Sequence, residues 1–145
     1  MTKQDKELLL KDLCARLPYG IKAQFKVKEL SSCGVNVEIT GILNGIPLFG
    51  SGKVTHSHIE YFKPYLRPMS SMTDEEREEW ADLFNLELDK LNEIDDEDEA
   101  EEKAPLYFGN CHSVSIDWLN KNMFDYHGLI GKGLALEAPE GMYNF

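Results

Sequence analysis

The sequence predicts an α+β fold: an N-terminal helix, an antiparallel meander of three to five strands, open or partly closed as a small barrel, two further helices and an ordered C-terminal tail. Three observations predict it. Apolar residues recur at helical spacing near the N-terminus and again in residues 73–92. Between these stretches the pattern changes to strict alternation, the period of a half-buried strand. The alternation then runs into Asn44-Gly45, the strongest short hairpin signal, because a type I′ turn needs positive φ at both central residues.

Residues 2–17 read as the first helix. Leu8, Leu9, Asp12, Leu13, Arg16 and Leu17 share one face, with lysines on the other. Thr2 is placed as N-cap, Asp5 suits the first turn, and Pro18 with Gly20 ends the helix.

Ile21, Ala23, Phe25 and Val27 then alternate with Lys22, Gln24, Lys26 and Lys28, giving a strand with a basic outer face over residues 21–30. Residues 31–34 are a turn, and Val35, Val37 and Ile39 form the inner face of a second strand, with Gly41 marking a bulge. A third strand starts at Ile46 and reaches Phe49 or Val54, and a fourth is short, over residues 58–62. Pro64 and Pro68 remove donors from any ladder, so the strand is expected to stop before them.

Thr73 followed by Glu76 is a capping box, and Asp74, Glu75 and Glu76 suit the positive end of the helix dipole. Trp80, Leu83, Phe84, Leu88 and Leu91 carry the apolar stripe of this second long helix. Residues 93–104 are dense in acid and read as a flexible linker inside a single domain spanning 1–145. A strand over 104–108 follows, then a short helix capped by Ser113 or Ser115. The glycine- and aromatic-rich tail contains Leu129, Ile130, Leu134, Ala135 and Leu136, enough apolar surface to pack on the domain.

Charge narrows the functional classes. The chain of 145 residues carries a net charge of −11. Residues 74–103 hold sixteen acids against three bases, so the remainder is slightly basic. Repulsion from phosphate disfavours direct nucleic-acid binding through such a face. An acidic helix can instead steer a basic protein partner, although most charge runs serve only as solvated surface. Glu75, Glu78, Glu79 and Asp82 on the helix, with Tyr65 and Arg67 in the proline-punctuated segment before it, are the candidate contact residues. No apolar run approaches the ~20 residues of a membrane-spanning helix, and the polar N-terminus lacks the apolar core of a secretory signal. Three cysteines without CxxC spacing fit neither a disulfide framework nor a zinc knuckle, so a cytoplasmic protein without cofactor is expected.

Catalytic and metal motifs are weak. Residues 50–55, GSGKVT, fail the phosphate-loop spacing, and a hairpin lysine is the simpler reading. The acidic run lacks the glycine that a calcium loop of EF-hand type requires. His56 and His58 share one side of a strand and could join Cys111, His112 or His127 in a zinc or catalytic site assembled in space. Scattered His and Cys without ligand spacing more often have no such role.

The stretches KPYLRPMSSMTDEE (63–76) and DWLNKNMFDYHGLIGKGLALEAPEGMY (117–143) resemble small proteins encoded in phages and mobile elements of gut Bacteroides. The resemblance covers about a third of the chain and implies a mobile-element origin, but it brings no activity, cofactor or site residue with it. The sequence therefore predicts a non-enzymatic protein-interaction module, with a small His/Cys enzyme or metal protein as the alternative.

Overall fold

The computed structural model describes residues 1–26, 34–50 and 58–143, apart from the side chains of 84, 87, 88, 90, 91 and 106–112. The turn expected at 31–34 (all but Gly34), the extension of the third strand past residue 50, the GSGKVT lysine and His56 lie outside the described residues. The fold is α+β with an N-terminal helix. Its sheet is open and mixed, with no barrel closure. The described residues divide into two compact units, Met1–Met69 with Asn120–Phe145, and Ser70–Leu119, where the sequence reads as one domain. No helix among them is long and apolar enough to cross a membrane.

The first unit holds helix α1 (Lys3–Arg16) and strands β1 (Lys22–Phe25), β2 (Val35–Leu43), β3 (Ile46–Phe49), β4 (Phe62–Leu66) and β5 (Leu136–Glu137). Thr2 caps α1 in a reciprocal box with Asp5, at 3.0 and 3.1 Å. Hydrogen bonding by Thr2, through its backbone first and then its side chain, holds the Asp5 carboxyl below its usual pKa. Gly20, at φ +75, terminates the turn after Pro18 in the left-handed conformation that glycine adopts without strain.

The sheet order is β3-β2-β1-β4-β5. The first three strands form the expected meander, closed by Asn44 and Gly45 at φ 51 and 75. The register shifts between Ile39 and Gly41, where the bulge was expected. The fourth strand corrects the sequence reading. It begins where that strand was to end, runs through Pro64, and lies beside β1.

Pro64 is tolerated because of parity. Lys26 N–H donates to Tyr61 O, so residues 61 and 63 point their backbone groups toward β1. Pro64 is out of phase with them, and its missing N–H withdraws no bond from that ladder. On its other side β4 pairs in parallel with β5 only from Tyr65 onward, and Leu66 O accepts from Ala138 N at 2.8 Å.

One face of the sheet meets α1. Leu9 and Leu13 are fully buried with Ile21, Ala23, Ile39, Phe62, Leu66, Met123 and Leu129. Phe25 lies 4.9 Å from Phe62 and 5.1 Å from Phe49, ring centre to ring centre, so three strands share one aromatic cluster. The tail is ordered on this core. Asp125 accepts from Leu129 N and Ile130 N at 2.8 and 2.9 Å, and Leu134 N returns to Leu129 O. Met123, at φ 61, is strained for a residue with a side chain, but burial in the core and a 2.7 Å bond from Arg67 N to its carbonyl hold it.

The second unit contains helix α2 (Asp74–Asn92) and most of α3 (Glu97–Lys121). The α3 helix overturns three sequence readings at once: the linker 93–104, the strand 104–108 and a separate helix starting at Ser113 or Ser115. Asp96 explains its start, accepting from Asp98 N at 2.9 Å and Glu99 N at 3.3 Å. Glu97, Asp98 and Glu99 then stand in the first turn, where the dipole favours the negative charge that looked like a reason for disorder. Lys103 pairs with Glu99 one turn on, at 2.6 Å. Pro105 is carried inside the helix, at the cost of one backbone bond to Glu101.

Candidate functional site

On α2 the capping box forms as the sequence predicts: Glu76 N donates to Thr73 Oγ1 and Thr73 N to Glu76 Oε1, both at 3.2 Å. This fixes the helix start and hence its rotation. Trp80 and Leu83, with Glu76, are half-buried along one side. Glu75, Glu78, Glu79 and Asp82 are exposed at i, i+3, i+4 and i+7, one continuous face two turns long. Leu86, 59% exposed, and Asp89 continue that same face. Arg77 lies off it, with Nη1 at 3.9 Å from Asp74, a weak surface pair. The face is therefore four carboxylates in a row, followed by one exposed leucine.

Tyr65 and Arg67 do not join it as free contact residues. Tyr65 is 8% exposed and its hydroxyl donates to Asn36 Oδ1 at 2.8 Å, a structural role within the sheet. Arg67 is half-buried, its guanidinium 4.2 Å from the Phe124 ring centre and 3.5 Å from Asn122 O. Proline spacing draws attention to this segment, but Pro64 lies within a buried strand and Pro68 just past its end.

No family model, curated protein or solved structure matches the chain.

The histidine and cysteine candidates separate. His56 and the side chains of Cys111 and His112 lie outside what is described. His58 is exposed with its ring against Tyr61 at 5.6 Å. His127 turns instead to a partner that the sequence reading left unassigned: its Nδ1 lies 3.0 Å from Asp12 Oδ1. Among the described residues no group of three or more His, Cys, Asp or Glu is placed to hold a metal.

Asp12 is the centre of a buried network. It sits wholly out of solvent and receives Arg16 Nε at 2.8 Å and Nη2 at 3.0 Å, a two-pronged pair at i, i+4 on α1. Arg16 Nη2 also donates to Phe124 O at 2.7 Å, and its guanidinium lies 5.3 Å from the Tyr126 ring centre. A carboxylate can only accept, so His127 Nδ1 carries the proton of this bond. The His127 side chain is 20% exposed. Chemically this is a carboxylate-oriented imidazole, yet Arg16 already neutralises the carboxylate, and the network's remaining bonds tie α1 to residues 124–127. It acts as a lock between the first helix and the tail. The signal was present in the sequence as an acid and a base four apart on an otherwise apolar face.

Proposed function

We propose that the chain is a protein-interaction module of phage or mobile-element origin, in which α2 presents its carboxylates to a basic protein partner. The observation that carries this reading is the exposed row Glu75, Glu78, Glu79 and Asp82 on one helix face. Evenly spaced carboxylates of one sign raise the encounter rate with a positive surface and reject negative ones. Leu86 at the end of the row offers the apolar contact that charge alone lacks, since binding energy concentrates in a few desolvated side chains. The mobile-element origin rests on the resemblance of residues 63–76 and 117–143. Cytoplasmic placement follows from the same reading.

The test is capture of partners from the organism that carries the chain, at low and at high salt, by the native protein and by Glu75→Gln/Glu78→Gln/Glu79→Gln/Asp82→Asn. A partner held at low salt, released at high salt and missed by the neutralised protein supports the proposal. Capture indifferent to both salt and the four substitutions overturns it.

A further inference from the structure

We propose that the cleft between β1, β2 and the C-terminal tail binds a small zwitterion, specifically an apolar α-amino acid. The cleft has a volume of about 350 Å³ and is lined by Lys22, Asn36, Val37, Glu38 and Met142. That is at the small end of the range of ligand pockets.

Its charges are arranged in an unusual way. Lys22 and Glu38 are direct cross-strand partners in the β1–β2 register, so their side chains rise from the same face of the sheet. Opposite charges so placed ordinarily pair. Here they do not, because the tail takes the ammonium: Lys22 Nζ donates to Met142 O at 2.8 Å and lies 5.6 Å from the Tyr143 ring centre. Glu38 has no ion pair or hydrogen bond among the described residues. A cation and an anion thus both line the cleft without pairing with each other.

Each group retains capacity. The ammonium has three protons and gives one to Met142, leaving two. Asn36 Oδ1 accepts from the Tyr65 hydroxyl, which orients the side chain and leaves its NH₂ donors unspent. Two donors on Lys22 and those on Asn36 match a ligand carboxylate, and Glu38 matches a ligand ammonium. Met142 supplies apolar surface for the ligand side chain beside them. A ligand carrying both charges is favoured over one carrying either alone, since the half-buried ammonium and the exposed carboxylate then each gain a partner.

Titration of the full-length protein with L-leucine, read by calorimetry and by amide chemical shifts, tests the assignment. The expected result is saturable binding with Kd on the order of 1 mM or tighter, with N-acetyl-L-leucine and L-leucinamide each weaker by about tenfold or more. Glu38→Gln touches no described partner, so it is expected to keep the thermal midpoint while weakening L-leucine by a similar factor. Absence of saturable binding by L-leucine, L-methionine and L-phenylalanine alike overturns the proposal. Equal binding of the blocked derivatives overturns it too, as does full affinity in a folded Glu38→Gln protein.

Discussion

The phenol of Tyr143 donates to the backbone carbonyl of Tyr65 at 2.9 Å, and the same oxygen accepts from the Lys22 amide at 3.0 Å. The β1–β4 ladder explains why that matters. Lys26 bonds to Tyr61, and alternate pairs repeat the pattern, so Lys22 with Tyr65 is the position of a later rung. The strands no longer pair there, and the hydroxyl stands between donor and acceptor in place of the missing bond. Sheet and tail are thereby joined through one atom.

Tyr143→Phe keeps the ring and removes that atom. It leaves a backbone donor and a backbone acceptor without their partner, which costs about 1–3 kcal/mol. Chemical denaturation is expected to show this loss, with faster hydrogen exchange at the Lys22 amide. An unchanged midpoint together with unchanged exchange means that water replaces the hydroxyl at no cost.

The same hydroxyl makes stability depend on alkaline pH. Burial pushes the Tyr143 phenol up to about 12 from its ordinary 10, against the opposing effect of the hydrogen bond it accepts from the Lys22 amide. A folded-state pKa above the unfolded value gives stability that is complete below pH 10 and lost as pH rises toward 12. The loss is on the order of 1–3 kcal/mol, and Tyr143→Phe is expected to abolish that part of the pH profile. Parallel profiles for the two proteins between pH 10 and 12 would show that the phenol ionises as freely in the fold as out of it.

Asp12 and Arg16 should behave as a unit. Removing one member strands the other without solvent, so Asp12→Ala or Arg16→Ala is expected to cost about 3–5 kcal/mol. The paired replacement Asp12→Leu/Arg16→Met removes both charges and should cost much less than the sum of the single changes. A double-mutant cycle by urea denaturation measures the coupling. Additive single and double effects would mean that the bidentate contact contributes nothing beyond packing.

The legible and illegible parts of this fold differ by the range of the interactions that make them. The caps at Thr2 and Thr73, the stop at Gly20 and the hairpin at Asn44-Gly45 are decided within four residues, and the sequence predicts all of them. Pro64 within a strand was not legible, because its tolerance depends on which neighbour strand its nitrogen faces. The pairing of β4 with β1, and of β5 with β4, is likewise a choice made at long range. Of the candidate site residues, the exposed carboxylates of α2 follow from helical periodicity, whereas the burial of Tyr65 requires the sheet to exist first. His127 meets Asp12 across 115 residues, and no spacing rule could have joined them.

The start of α3 was misread for a local reason, and this makes it testable in isolation. Repulsion among the acids of residues 93–102 is opposed by the cap formed by Asp96 and by the helix dipole. Asp96→Ala removes the acceptor for two backbone donors and is expected to cost about 0.5–2 kcal/mol of local helix stability. Circular dichroism should lose roughly one turn of helix, and hydrogen exchange should quicken over residues 97–103. Asp96→Ser retains a capping oxygen and should restore most of both signals. The Glu99–Lys103 pair is half exposed, so Lys103→Ala is expected to change either readout by no more than about 0.5 kcal/mol. If Asp96→Ala leaves both readouts unchanged, the first turn of α3 is held by something other than its cap.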